Sequence, residues 1–157
     1  MLALLDIPNL DGKSGVAGYE KAFKLDTVNF GAGRSIRLNG TARESSPPFV
    51  SEIIATRTGT ASSIEFFKSI VTSSSTEKMV LNCIKSGEGN VMTKLYSFAL
   101  EDAVITHYNF CLSGDSIQET LGINFLKIGW TSIDLDSKLK SVSPQTVGFS
   151  VLSKVSS

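Results

Sequence analysis

The stretch Ile117-Gln118-Glu119-Thr120-Leu121-Gly122-Ile123-Asn124-Phe125 decides the fold class. Its odd-numbered positions carry Ile, Glu, Leu, Ile and Phe, and the residues between them are polar or glycine. An alternation of period two predicts a β-strand with one face in a core. We expect this strand to continue to about residue 133 and a polar loop to follow over residues 134–145.

The same alternation recurs along most of the chain, which predicts a protein built mainly from strands. Turn signals separate these strands at residues 86–90, 101–102 and 112–115. A phase slip at Asp26-Thr27 predicts a β-bulge within one of them. The expected strands are residues 2–7, 23–30, 49–57, 79–83, 91–100, 103–111 and 146–152.

One segment follows a helical pattern instead. Ser62-Ser63-Ile64-Glu65 places a Glu three residues after a Ser, the capping-box arrangement that satisfies free amides at a helix start. Apolar residues then recur at helical spacing at Ile64, Phe67, Ile70 and Val71, so a helix is expected at about residues 63–72. The prediction is a mainly β fold, a small antiparallel β-barrel or sandwich of about eight or nine strands with one α-helix, in a single domain over residues 1–157.

The composition argues against two classes of partner. The 157 residues include 15 Lys and Arg and 15 Asp and Glu, so the net charge is zero. Without excess positive charge, binding to nucleic acid or to an anionic membrane surface is not expected. No apolar run reaches the ~18 residues that span a bilayer, and the apolar start lacks the basic residues of a signal peptide. Cys83 and Cys111 lie in apolar patterns and are expected to be buried free thiols.

Residues that could carry catalysis give weak signals. Gly12-Lys13-Ser14 resembles the end of a phosphate-binding loop, but Ile7 stands where that motif needs a glycine. His107 is the only histidine and lies in an expected strand, and the sequence offers too few further ligands beside it for a zinc site. Trp130 is expected in the core. We therefore do not expect an enzyme.

A long polar connection interrupts the strands at residues 34–48. It contains a possible short strand or hairpin around residues 36–38, and a connection of this length in a compact domain is usually functional or mobile. The alternative is a solvated, disordered loop in the isolated protein that orders only on assembly.

Five segments along the chain carry a family resemblance. They are Ile7 to Ser14, Phe23 to Gly31, Glu52 to Phe66, Tyr96 to Ile105 and Ile117 to Phe125. In their order and spacing they resemble the Hcp family, which forms the tube of bacterial type VI secretion systems. The likeness covers nearly the whole chain. Lys13 departs from it, because the family usually has Glu at that position.

The resemblance implies a fold and a structural role. Hcp-like proteins fold as a small β-barrel with one helix beside it and form hexameric rings, which stack into a tube inside a contractile sheath attached to a baseplate. The implied partners are other copies of the chain, the spike protein VgrG, the sheath and baseplate, and effector cargo. The resemblance implies no cofactor, no metal, no nucleic acid and no membrane insertion. It also implies a protein that stays in the bacterial cytoplasm before firing and is then secreted, without a signal peptide, into the medium or a target cell.

The connection at residues 34–48 corresponds to the extended loop of the family, which reaches a neighbouring subunit or the next ring. The resemblance therefore implies contacts between protomers at Arg34, Arg37, Arg43, Glu44 and Phe49. Three other functions remain open at this point. They are a tail-tube protein of a contractile phage, an unrelated β-sandwich that binds carbohydrate or protein, and a hydrolase that uses Ser and His107.

Overall fold

A computed structural model of the protein describes residues 1–72, 77–86, 92–135, 141–152 and 155–156. Within these residues one helix, α1, spans Ser63–Thr72, and the remaining elements are strands. The strands are β1 Leu2–Asp6, β2 Phe23–Leu25, β3 Thr27–Asn29, β4 Ala32–Gly33, β5 Ile36–Asn39, β6 Ala42–Ser45, β7 Phe49–Val50, β8 Ile53–Thr58, β9 Glu77–Ser86, β10 Met92–Ser113, β11 Ser116–Asn124, β12 Lys127–Leu135, β13 Ser141–Ser150 and β14 Val155–Ser156. The predicted mainly β fold with a single helix near residues 63–72 is confirmed. Apart from residue 86, the turn expected at residues 86–90 lies outside the described part of the chain.

Strand β10 connects the two arms of the main antiparallel sheet. Its first half lies between β9 and β12, with Ala99 opposite Val80 on one side and Gly129 on the other. Its second half pairs with β11, and β11 in turn pairs with β8. The first arm continues from β9 to β1 and β2 and from β12 to β13 and β14, whereas the second ends at β3.

The turn expected at residues 101–102 is wrong, because β10 runs without interruption through this point. The pairing with β9 instead shifts register between Leu100 and Ala103, where Asp102 has a φ of 50°. Asp is one of the few residues besides Gly that adopt this left-handed conformation readily. The polar pair therefore marks the point where one strand leaves the first arm and enters the second.

At two other places a single long strand was expected, and the structure has two strands instead. The segment 23–30 is two strands, since β2 pairs with β1 and β3 pairs with β8. The phase slip at Asp26 is therefore a change of sheet partner, and the Asp26 amide donates to the Thr56 carbonyl at 2.8 Å. The segment 117–133 is likewise divided, into β11 and β12. The strand expected at residues 146–152 spans Ser141–Ser150 as β13, so residues 141–145 of the expected polar loop belong to this strand instead.

Both arms contribute to one hydrophobic cluster, in which the buried residues include Leu5, Phe23, Ile53, Leu81 and Leu121. A core formed by side chains from two sheet arms is the packing expected of a β-sandwich. Two residues expected inside lie nearer the surface. Trp130 is 46% exposed and stacks with Phe98 at the border of the core, at 5.2 Å between ring centroids. Cys83 is partly buried, whereas Cys111, which was also expected to be buried, is exposed. Both are free cysteines, as predicted.

Helix α1 packs on the core through one side chain. Phe66 is fully buried, and its ring lies 4.4 Å from that of Phe23. The predicted capping box does not form as expected, because the Ser62 hydroxyl donates to the Gly12 carbonyl and accepts from Arg57. The apolar residues Ile64, Phe67, Ile70 and Val71, which gave the helical pattern, all face outward and are exposed.

Candidate assembly surface

The connection at residues 34–48 folds as a β-hairpin, as the short strand expected near residues 36–38 had indicated. Strands β5 and β6 pair only with each other, with Ile36 opposite Ser45 and Asn39 opposite Ala42. This register leaves Gly40-Thr41 as a two-residue turn, and Gly40 has a φ of 63°, a conformation that favours glycine. Every residue of both strands is exposed. The hairpin therefore stands apart from the main sheet.

The two faces of this hairpin differ in chemistry. Directly opposed residues share a face, so Leu38 and Arg43 lie on the same side as Ile36. On this side Ile36 is 58% exposed and Leu38 is 75% exposed. The other side carries the opposed pair Arg37 and Glu44. The hairpin thus presents an apolar face with one cation and a polar face with both charges.

The charged side chains of the hairpin are available to a partner. Glu44 accepts a hydrogen bond from the Asn39 amide at 3.3 Å. The ion pairs found among the described residues are Arg57 with Glu119 and Lys127 with Glu101. Arg34, Arg37 and Arg43 therefore have no carboxylate partner within the described part of the chain.

Phe49 and Arg34 lie at the stem of the hairpin rather than at its tip. Phe49 is in β7, which pairs with β4, and its ring lies against Gly33, where an added Cβ would come within 3.0 Å of the ring. Backbone bonds clamp the stem, including Ser51 N to Gly31 O at 2.7 Å and Ser46 N to Ser35 O at 2.8 Å. The structure therefore brings Arg37, Arg43 and Glu44 together on the hairpin and separates the other two predicted residues from them.

Two strand edges of the main sheet carry no partner strand among the described residues. The second half of β10, residues 104–113, pairs with β11 on one side only. Residues 143–148 of β13 pair with β12 on one side only. Unpaired N–H and C=O groups on a strand edge are a template for pairing with another chain. Neither edge could be predicted from the sequence, because which strands lack a neighbour depends on the order of the strands in the sheet.

A buried polar network fixes the second arm to the helix. Arg57 Nε lies 3.2 Å from Glu119 Oε2, and the Tyr108 hydroxyl donates to Glu119 Oε1 at 2.6 Å. The Arg57 guanidinium lies over the rings of Phe23 and Phe66, at 5.5 and 5.3 Å from their centroids. Burial lowers the pKa of Arg57, and the charge of Glu119 opposes this shift. Burial and the bond to Glu119 raise the pKa of Tyr108 above its ordinary value.

One feature of the sequence points to this network. Glu119 falls on the apolar side of the alternation that decides the fold, where a carboxylate is buried only with a partner. Arg57 likewise lies on the buried face of its own strand, β8. It is directly opposite Glu119 in the register of β8 and β11. Two opposite charges on inward-facing positions of adjacent strands are expected to pair.

Residues considered for chemistry lie apart from one another. Gly12-Lys13-Ser14 lies in the connection between β1 and β2, so no helix follows it as a phosphate-binding loop requires. His107 is exposed on β10. Within the described residues no group of three or more His, Cys, Asp and Glu side chains could hold a metal ion. In the described part of the chain no helix is long and apolar enough to cross a bilayer.

Comparison with known proteins places this arrangement in a family. The family model described as "Type VI secretion system effector, Hcp" matches residues 4–131 of the 157. A comparison with curated proteins finds none that matches the sequence. Among solved structures the fold is similar to a type six secretion system protein, with a TM-score of 0.87 and 14% identity over 99% of both chains. It is also similar to Hcp1 from Salmonella typhimurium, with a TM-score of 0.72 and 14% identity over 99% of this chain and 98% of that one. The similarity to the secreted protein Hcp3 from Pseudomonas aeruginosa has a TM-score of 0.58 and 15% identity over 92% and 96% of the two chains.

Proposed function

Because the chain belongs to the Hcp family and is a tube protein of the type VI secretion system, we propose that it assembles into hexameric rings that stack into a tube and carry effectors. In this proposal each subunit contacts a neighbouring copy through Arg37, Arg43 and Glu44 of the β5–β6 hairpin and through Arg34 and Phe49 at its stem. The role is structural and needs no catalytic residue or cofactor.

The observation that carries the proposal is the exposure of the hairpin. A two-stranded hairpin by itself is marginally stable in water, yet this one exposes Ile36 and Leu38 on the same face. Burying an apolar side chain of this size contributes about 1.5–3 kcal/mol. Contact with a neighbouring subunit would supply that burial and would give the unpaired arginines carboxylate partners.

The unpaired edges of β10 and β13 support the same conclusion. A ring subunit must offer two different surfaces to its two neighbours, since a head-to-tail contact closes by rotation. Two separate strand edges, together with a projecting hairpin, provide different surfaces on one molecule. A chain with zero net charge also lacks the self-repulsion that keeps a protein monomeric.

The remaining parts of the proposal concern partners and location. A tube needs a spike at its tip and a contractile sheath around it, so VgrG, the sheath with its baseplate and effector cargo are proposed partners. The protein is proposed to reside in the bacterial cytoplasm before firing and to be secreted afterwards. Residues 1–157 are proposed to act as one domain.

Mass photometry and negative-stain microscopy of the purified protein test the assembly. We expect particles of six times the 16.8 kDa monomer, seen as rings. Because losing one buried leucine contact is equivalent to about tenfold or more in affinity, Leu38→Ser is expected to raise the protein concentration needed for assembly by at least that factor. A wild-type protein that stays monomeric at every concentration, with or without a preformed spike, would contradict the proposal.

A matched control separates the hairpin from general surface hydrophobicity. Leu152 is exposed to nearly the same extent as Leu38, at 73% against 75%, but lies after β13. Leu152→Ser should leave the concentration dependence of assembly unchanged. If both substitutions weaken assembly equally, the hairpin has no special role and its part of the proposal fails.

A further inference from the structure

A cleft of about 270 Å³ lies beside the buried network, at the place where the connection between β1 and β2 meets the end of β8. Its charged lining consists of Lys13, Lys24, Asp26 and Arg57. The other lining groups are small or hydroxyl-bearing residues such as Thr60. The lining is therefore polar and contains more cations than anions.

The two lysines of the cleft have no ionic partner in the chain. Both are exposed, and no carboxylate of the described residues lies within 4.0 Å of either ammonium group. Asp26, the acidic group of the lining, accepts a hydrogen bond from the Thr58 hydroxyl at 2.9 Å. Because Glu119 balances Arg57, the two lysines and Asp26 leave the cleft with one excess positive charge.

Arg57, one of the residues that line this cleft, has one donor without a partner. Its side chain is 2% exposed, and its Nη2 donates to the Thr60 hydroxyl at 2.6 Å. Its Nη1 is buried and has no hydrogen-bond partner among the described residues. A buried N–H group without an acceptor costs about 1–3 kcal/mol, and this one belongs to a side chain that lines the cleft. Glu119 Oε2, 3.2 Å from Arg57 Nε, is also buried without a hydrogen-bond partner among the described residues.

The cleft is also held in a defined shape. Gly12 is packed so closely that an added Cβ would lie 2.3 Å from the Ala22 carbonyl oxygen. Its amide donates to the Lys21 carbonyl at 2.7 Å, and its own carbonyl accepts from Ser62. Lys13 directly follows this fixed residue with a φ of 51°, an uncommon conformation for a lysine. The backbone that carries Lys13 is therefore anchored to the same network that holds Arg57.

We propose that this cleft binds a phosphate-class oxyanion, either as free phosphate or as the phosphate group of a small molecule, through Lys13, Lys24 and the Arg57 guanidinium. A phosphate carries about −1.5 to −2 charge at neutral pH and accepts several hydrogen bonds at once. Lys13, Lys24 and Arg57 come from three different parts of the fold. Such a set of cations can bind several oxygens of one phosphate group at once. The proposed site uses none of the hairpin residues and neither of the unpaired edges of β10 and β13.

Isothermal titration of the full-length protein with inorganic phosphate, at constant ionic strength set with sodium chloride, tests the site. We expect saturable binding to the wild type and at least a tenfold higher Kd in the Lys13→Ala/Lys24→Ala variant. Lys85→Ala, an exposed lysine on β9, is the matched control and should bind as the wild type does. Equal binding by the wild type and the double variant, or no saturable binding to the wild type, would overturn the proposal.

A second ligand distinguishes the two sources of the anion. If glycerol 3-phosphate binds several-fold more tightly than inorganic phosphate, and the double variant loses both, the site takes the phosphate group of a larger molecule. Equal affinities that are both lost in the variant assign the site to free phosphate. Circular dichroism of the double variant confirms that it is folded, and Lys24→Gln alone gives a milder variant in which a smaller rise in Kd is still expected.

Discussion

Among single residues, Arg57 and Glu119 are expected to affect stability strongly, because both charges are buried and each is the counter-ion of the other. Removing one partner of a buried ion pair leaves an uncompensated charge and costs about 3–5 kcal/mol. We therefore predict that Glu119→Gln lowers the free energy of unfolding by an amount in this range. Urea denaturation followed by the fluorescence of Trp130, at one protein concentration, measures it.

The exposed pair of Lys127 and Glu101 is the control for that measurement. Its atoms are 3.1 Å apart, close to the separation in the buried pair, but both side chains are about half exposed. Exposed ion pairs contribute at most about 1 kcal/mol, so Glu101→Gln should change the free energy of unfolding by no more than this. Equal losses in Glu119→Gln and Glu101→Gln would show that burial of the network contributes nothing.

The Tyr108 hydroxyl makes the network sensitive to high pH. Burial, and then the bond to Glu119, raise the pKa of Tyr108 above its ordinary value of 10.0. As the pH rises past about 10, the unfolded chain releases this proton before the folded chain does, so the free energy of unfolding falls with pH. We predict a shallower fall between pH 9 and 11 for Tyr108→Phe, measured by urea denaturation at each pH. Tyr96→Phe, which lies outside the network, should retain the steep fall, and identical slopes for all three proteins would count against this assignment.

At the scale of elements, helix α1 depends on one side chain. Phe66 is 0% exposed, whereas its neighbour Phe67 is 57% exposed. A buried Phe→Ala substitution costs about 3–5 kcal/mol, and a substitution at an exposed site usually costs within about 0.5 kcal/mol. We predict that Phe66→Ala loses several kcal/mol of unfolding free energy and Phe67→Ala almost none, measured by urea denaturation. A comparable loss in both would mean that the outer face of the helix is already covered in solution.

The strands and the helix differ in how far the sequence predicts them. Period-two alternation identified the strands that bury one face, and the residue spacing gave α1 its observed limits, Ser63–Thr72. The strand boundaries failed where the backbone changes sheet partner, at Asp26 and at Asp102. A change of partner depends on sheet order, which no local pattern encodes. Apolar spacing predicted the helix but not its inward face, because the four residues that carry the spacing are exposed and Phe66 is the buried one.

The candidate site, too, could be predicted only in part from the sequence. A long polar segment with a short apolar centre was enough to predict a connection with a short hairpin in it, and the register of that hairpin places Arg37 opposite Glu44. Phe49 was separated from them because β7 pairs with β4 at the stem, a long-range pairing that the sequence does not show. The unpaired edges of β10 and β13 could not be predicted at all, because an edge exists only once the order of strands is known.

At the scale of the whole molecule, the proposed ring makes a prediction about mixtures. In a head-to-tail ring each subunit donates one surface and accepts with another, so an Ile36→Ser/Leu38→Ser variant loses the donating hairpin and keeps the accepting surface. We predict that this variant does not form rings alone but enters wild-type rings as a minority subunit, which native mass spectrometry of differently tagged proteins detects. A contact formed by the same surface on both partners would remove donor and acceptor together. Complete exclusion of the variant from mixed rings would therefore show that the hairpin meets a second hairpin, and a closed ring would then need a different interface.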